Sequence, residues 1–271
     1  MSGRRMGNAD FDPISFGFLT TTAFVLTLFS RDIFLQCFSN KKWLWVGLLA
    51  LSFILIVASG SRFPIALAMV AIVGYIVRQF GLSITKIITV MVIGAVLSFL
   101  LKDTVPVFKR YESVVKNVQK ASEGDFNSSI GHRFIMWSVA WDVFKQNIVI
   151  GKGNGAFRDY SQQNANIDKN INKVKRYRAP HNEYLNTLSS RGVVGIVVLF
   201  VFLGGLLKYF YSVRGGGVSD AGVAFIAFVF LWSFLNDLFE TNFYAAFIAY
   251  IFSLLLAIIY RETIVRNEMP L

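Results

Sequence analysis

The sequence predicts an all-α fold: a polytopic membrane helix bundle of about seven spans, carrying one large, partly helical loop outside the bilayer. Three observations carry this reading. Hydrophobic residues make up 55% of the chain and charged residues 16%, where a soluble domain has about a quarter charged. Mean hydropathy is +0.54, and 27 phenylalanines push the excess toward lipid. The remaining polar and basic residues are gathered into one long segment, and charge-free runs fill most of the rest.

Those runs are Pro13–Ser30, Trp43–Ser61, Phe63–Val77, Ile87–Leu101, Gly192–Leu207, Ala221–Asn236 and Thr241–Tyr260. A spanning helix takes roughly 17–25 predominantly apolar residues, so the shorter runs borrow flanking residues, as the fourth does from 83–86. Buried helices of a soluble bundle are the alternative. They need a wet face, and these runs have essentially none. The chain thus divides into three regions: four spans with short loops (1–101), a large polar loop (102–191), and three spans with a tail (192–271).

Short-loop charge sets the orientation. Arg31, Lys41 and Lys42 follow the first run, Arg78 and Lys86 lie between the third and fourth, and Lys208 and Arg214 between the fifth and sixth. Arg261 and Arg266 follow the seventh. The opposite turns hold Arg62 alone, and Asp237 with Glu240. Basic short loops mark the cytoplasmic side, so the C-terminus is read as inside and the N-terminus as outside. No signal peptide is recognisable.

The segment Lys102–Arg191 is then extracytoplasmic. It holds fifteen Lys/Arg against eight Asp/Glu, a net +7 of the chain's +11. Long loops translocate whatever their charge. The high pI of about 9.8 therefore needs no nucleic acid; a basic surface beside a membrane suits anionic headgroups, diphosphates or acidic glycans. Within the loop, Phe134, Trp137, Trp141 and Phe144 recur at helical spacing, and this aromatic face is expected against the spans or at the interface. Ile148–Phe157 is a short apolar run ending in a glycine turn, and Ser161–Arg178 reads as a polar, mobile flap. Pro180-His181-Asn182 leads into an amphipathic stretch that enters the fifth span.

Several chemistries are excluded or disfavoured. Cys37, the single cysteine, rules out an internal disulfide and cysteine-based zinc sites. Gly151-Lys152-Gly153-Asn154-Gly155 lacks the spacing of a phosphate-binding loop and reads as a tight turn needing positive φ. Asp10-Phe11-Asp12 spells a carboxylate pair of the kind that holds a divalent cation, but a terminal Asp-Pro is an ordinary turn before a helix, so metal binding is disfavoured. Asn127-Ser128-Ser129 fits a glycosylation sequon too common to carry weight.

Four other positions carry candidate chemistry. Arg62, at the outer membrane edge, is either an interfacial anchor or a guanidinium aimed at a diphosphate, which it matches bidentately. His181 is a candidate base titrating near neutrality, with Asn182 and Glu183 beside it as possible orienting groups. Arg133, on the aromatic helix, and Arg191, before the fifth span, are each a second anion clamp or a surface charge.

Taken in order, these pieces resemble the C-terminal part of the O-antigen ligase and O-antigen polymerase family. The pieces are Gly3-Arg4 through Asp12-Pro13, Ser61-Arg62 opening a span, and Arg133 with Trp137 on a loop helix. Gly151-x-Gly153-x-Gly155-x-Phe157, His181-Asn182-x-x-Leu185 and Gly192-x-x-Gly195 follow. Members of that family have about a dozen spans, and this chain begins where the sixth would be. The resemblance therefore implies a partner or preceding segment carrying the first half.

The resemblance also implies an activity. Such enzymes are metal-independent glycosyltransferases without a cofactor, moving a glycan from undecaprenyl diphosphate to an acceptor hydroxyl at the periplasmic face of the bacterial inner membrane. The acceptor is a lipid A-core sugar for a ligase and another lipid-linked glycan for a polymerase, and the residues do not separate the two. Carried over residue by residue, Arg62 and Arg133 are diphosphate clamps, His181 is the base, and Arg191 and Asn182 are substrate-binding. The alternatives of another class are a lipid-linked saccharide transporter and an inactive fragment. Transporters tend to place ionisable groups at mid-membrane; these spans carry none.

Overall fold

The structure is a computed structural model that describes residues 13–38, 41–81, 111–213, 217–239 and 242–268. Every regular element among the described residues is an α-helix. In chain order they are α1 (Pro13–Phe29), α2 (Arg31–Cys37), α3 (Lys42–Ala58), α4 (Arg62–Phe80), α5 (Tyr111–Ser122), α6 (Ser129–Gln146), α7 (Ala156–Asn164), α8 (Lys169–Val174), α9 (Glu183–Ser212), α10 (Gly217–Trp232) and α11 (Asn242–Glu268).

Six of the seven apolar runs fall on these helices; the fourth, Ile87–Leu101, lies outside the described residues. Three described helices are long and apolar enough to cross a bilayer: α4, α9 and the Asn242–Arg261 part of α11. The pair α1 and α2, bent by 77° at Ser30, makes a fourth if counted as one span. The helices α3 and α10 are apolar but shorter, at 17 and 16 residues. The molecule is a membrane protein.

The chain forms two compact units. The first comprises residues 1–112, 209–228 and 255–271. There α1 packs on α3 and α4 around Phe24, Leu28, Ile56, Ile65 and Ala68. Close approach depends on Gly17, where a Cβ would lie 2.5 Å from Cγ of Pro64. Thr20, Thr21 and Thr22 donate their hydroxyls back to the carbonyls of Phe16, Gly17 and Phe18, so three buried polar groups are satisfied inside one helix. Trp45 Nε1 donates to the Thr27 carbonyl at 2.8 Å, and Arg78 pairs with Asp220 at 3.0 Å.

The second unit comprises residues 113–208 and 229–254. Its core joins α6, α7 and α8 through Ile135, Met136, Val139, Ala140, Phe157 and Val174. Ser128 caps α6 by accepting from the Gly131 N–H at 3.0 Å, and Asp168 caps α8 at the Asn170 N–H, each filling an orphan donor at a helix start. The segment Ser161–Arg178, which reads as a flap, holds the end of α7 and all of α8, with Val174 buried. The face that α6 buries is the aliphatic one; Phe134 and Trp141 are exposed, and of the aromatic set Phe144 is the buried member.

Candidate functional site

The site in the second unit is built where the start of α9 meets the turn after α10. The sixth apolar run extends to Asn236, but α10 stops at Trp232 and residues 233–239 form a turn. That turn is tied to the α9 start by backbone and side chain alike. The Glu183 N–H donates to the Ser233 carbonyl at 2.8 Å, and the Asn182 side-chain amide donates to the Phe234 carbonyl at 3.1 Å. Asn182 Oδ1 accepts the Leu185 N–H at 3.0 Å, an N-cap that starts the helix.

Asp237 is the centre of this joint. Its Oδ2 accepts the His181 N–H at 2.9 Å and its Oδ1 accepts the Asn182 N–H at 3.0 Å. The same Oδ2 lies 3.3 Å from Nδ1 of His181. Asp237 is buried and the His181 ring is 40% exposed, so the imidazole is held from behind and open in front. His181 has φ of +52°, the left-handed region. A non-glycine residue there marks a constrained position, and the two Asp237 bonds supply the constraint.

Around this pair stand Arg133, which the sequence singles out, and Tyr177, which it does not. Arg133 of α6 is half-buried. Burial draws its pKa down and the Asp237 charge raises it, which places the two within electrostatic reach. Tyr177 stands edge-on to the His181 ring, centroids 5.6 Å apart, and its hydroxyl is 3.4 Å from Nδ1 of His132. Burial and the Arg176 and Lys173 charges lower the His132 pKa. Trp137 Nε1, one turn after Arg133 on α6, is buried without a hydrogen-bond partner among the described residues.

Glu183 is fully buried. Its Oε2 accepts the Phe239 N–H at 2.9 Å and its Oε1 the Thr187 hydroxyl at 3.0 Å. It precedes a break in α9 at Gly192, whose φ of +65° and ψ of −160° are non-helical. The polar stretch 183–191 thus lies before the break, and the charge-free run 192–207 after it. Burial pushes the Glu183 carboxyl up to about 7; the Phe239 N–H, the Thr187 hydroxyl and the Arg191 charge oppose this, and Asp237 adds to it.

Asp237 thus bonds His181 and Asn182 and acts electrostatically on Arg133, as Arg191 acts on Glu183. Arg62 opens α4 in the first unit, half-buried, after an extended Ser61. Asp10 and Asp12 lie outside the described residues. In the sequence Asp237 stands out only as a charge in an outer turn, and Glu183 only as a neighbour of His181. The shared outer side of the loop 102–191 and the turn 237–240 is the signal that could have paired them.

The model of the O-antigen ligase family matches residues 47–200, a stretch holding Arg62, Arg133, His181, Asn182 and Arg191. The chain belongs to the O-antigen ligase family. An uncharacterized protein of Haemophilus influenzae is 25% identical to this family member over 107 residues, which cover 39% of the chain and 26% of that relative. The chain thus matches about a quarter of the length of that protein. The glycine turn, placed on positive φ at Gly151, Gly153 and Gly155, is the turn that the sequence predicts.

Proposed function

We propose that this O-antigen ligase-family chain acts as a membrane glycosyltransferase. It moves a glycan from undecaprenyl diphosphate to an acceptor hydroxyl, that of lipid A-core in the ligase reading, at the periplasmic face of the inner membrane. The observation that carries the proposal is the His181–Asp237 pair: a half-exposed imidazole fixed by a buried carboxylate, beside a half-buried arginine.

In this reading Asp237 holds the proton on Nδ1, leaving the Nε2 lone pair as the base. His181 takes the acceptor proton as the hydroxyl oxygen attacks the anomeric carbon. The bond from that carbon to the phosphate oxygen breaks, and the diphosphate leaves with the electron pair. Arg133 neutralises the charge that develops there, an electrostatic role that commonly dominates such catalysis. Trp137 offers a second N–H donor on the Arg133 side of α6. Arg191 and Asn182 are assigned to substrate binding and Arg62 to a second diphosphate clamp. The leaving group is already a diphosphate, so the step needs neither metal nor nucleotide.

The topology follows the sequence reading: seven spans, residues 1–101 and 192–271 as the two spanning regions, the loop 102–191 in the periplasm, and the C-terminus in the cytoplasm. The test is transfer from undecaprenyl-diphosphate-linked glycan to lipid A-core by the purified chain in nanodiscs. A new glycosidic bond that forms equally in EDTA is the expected result. Movement of the lipid-linked saccharide across vesicles without a new bond would replace the enzyme with a transporter, and magnesium-dependent turnover would restore Asp10 and Asp12 as ligands.

A further inference from the structure

The break in α9 at Gly192 leaves backbone donors at the start of its second half and acceptors at the end of its first, as any helix end does. The turn after α6 fills both sets. Val193 and Val194 donate to the carbonyls of Ile148 and Val149 at 2.8 and 3.1 Å. In return, Lys152 and Gly153 donate to the carbonyls of Ser189 and Ser190 at 3.0 and 2.8 Å. Two glycines make the approach possible. A Cβ on Gly192 would collide with the Val149 carbonyl, and one on Gly151 would collide with the Arg191 nitrogen. The turn and the first residues of the span are one joint.

What this joint presents outward is apolar. Ile148, Val149 and Ile150 are 52%, 62% and 65% exposed, three consecutive aliphatic side chains with nothing of the second unit over them. The span they are bonded to has the same kind of surface. Val193, Val194, Val197 and Val198 are all exposed, and Val201 is 69% exposed, on a helix apolar enough to cross a bilayer. Lys152, exposed, follows the triplet, where a basic side chain suits anionic headgroups; Lys145 before it is paired with Asp142 at 2.8 Å.

We infer that Ile148-Val149-Ile150 is a membrane wedge: the tip of the loop 102–191 is immersed in the acyl chains beside the first turns of the α9 span. Irregular backbone is costly at membrane depth unless its polar groups are paired. Here the carbonyls of Ile148 and Val149 and the N–H groups of Gly151, Lys152 and Gly153 are paired, the Gly151 N–H with Asn147. The occupant of this surface is lipid, because the triplet continues a helix surface that already faces lipid. The wedge fixes the depth of α6, and hence of Arg133, relative to the plane of lipid headgroups. The inference rests on the reading that α9 crosses the bilayer after Gly192.

The test places single cysteines in the full chain with Cys37→Ser, each labelled with the fluorophore NBD, in nanodiscs of phosphatidylethanolamine and phosphatidylglycerol. The positions are Val149→Cys, Val201→Cys on the span, and Lys169→Cys on exposed, polar α8. Quenching is compared between aqueous iodide and a lipid with a nitroxide midway along its acyl chain. The expected result is that Val149 behaves like Val201, quenched by the nitroxide lipid and several-fold protected from iodide relative to Lys169. Iodide quenching of Val149 equal to that of Lys169 would overturn the wedge, as would protection of Val149 from both quenchers, which means cover by protein. If Val201 also escapes the nitroxide lipid, the reading of α9 as a span fails with it; if Val201 is quenched and Val149 is not, the wedge alone fails.

Discussion

Asp237 grips His181 twice, through the backbone N–H at 2.9 Å and through ring Nδ1 at 3.3 Å, both on the same carboxylate oxygen. One side chain thus sets both the left-handed backbone at His181 and the orientation of its ring. If His181 is the base proposed above, this orientation keeps its lone pair on the far nitrogen, and general-base loss costs about a hundred- to ten-thousand-fold. Asp237→Asn keeps an acceptor for one of the two backbone N–H groups, sets an amide donor against the other, and loses the charge beside Nδ1. Turnover is expected to fall about a hundredfold or more while donor binding holds, and His181→Ala is expected to match it. The measurement is single-turnover transfer beside donor affinity at equal amounts of folded protein. Near-normal transfer by His181→Ala would sink the base assignment.

The proposed clamp role of Arg133 and Arg62 is distinguished from a general surface charge by the bidentate fork that it requires. A lysine keeps the charge and loses the planar fork, so Arg133→Lys is not expected to behave as conservative. Losing a strong transition-state donor costs about 3–4 kcal/mol, or roughly a hundred- to a thousand-fold in rate. Arg62→Lys is expected to fall in the same range if it is a clamp, and to stay near wild type if it is an interfacial anchor. The same single-turnover assay with both variants gives the answer. Full activity in Arg133→Lys would remove the fork from the mechanism.

Much of this is legible in the sequence, and the remainder is hidden for identifiable reasons. Apolar runs locate helices because a lipid-facing helix needs no polar stripe, and six of the runs fall on described helices. The glycine turn is legible because positive φ has a residue preference. Asp237 is not, since it lies 55 and 56 residues from its partners and only folding brings it to them. The helices α7 and α8 escape because they are short and polar, ordered by Phe157 and Val174 reaching a core on α6 rather than by a periodic face of their own. On α6 the conspicuous aromatic spacing masks the aliphatic face that is buried. The break at Gly192 carries no signal, because its cause is the turn at 148–153, about forty residues earlier.

The glycines of that joint differ in what a side chain would meet, and this predicts a ranking. Gly153 has φ of +89° with no atom within 4 Å of an added Cβ, so Gly153→Ala carries only the backbone strain, about 1–2 kcal/mol. Gly192→Ala adds a collision with the Val149 backbone, and is expected to exceed about 4 kcal/mol, the range of exceptional single substitutions. Thermal unfolding in detergent, followed for wild type and both variants, checks this. Equal losses would mean that the turn and the span are not joined in this way.

Glu183 gives the pH dependence, and its sign follows from its raised pKa. The buried carboxyl holds its proton up to about 7, against an ordinary value of 4.5. Between those values the folded chain keeps a proton that the unfolded chain has released, so stability falls as pH rises through this window. Below it both states are protonated and the group costs nothing. Above it the loss is complete, on the order of 3 kcal/mol, since each pH unit of the window contributes about 1.36 kcal/mol. Glu183→Gln abolishes the titration. A glutamine still accepts from Thr187 or from the Phe239 N–H but not from both, a loss of about 1–3 kcal/mol when a buried donor goes unpaired. The variant is therefore expected to be less stable than wild type at about pH 5, with the gap closing or reversing by about pH 8. Melting temperatures of both proteins across that range decide it. A gap that stays constant with pH would show that Glu183 is ionised throughout, held by Phe239 and Thr187 against its burial.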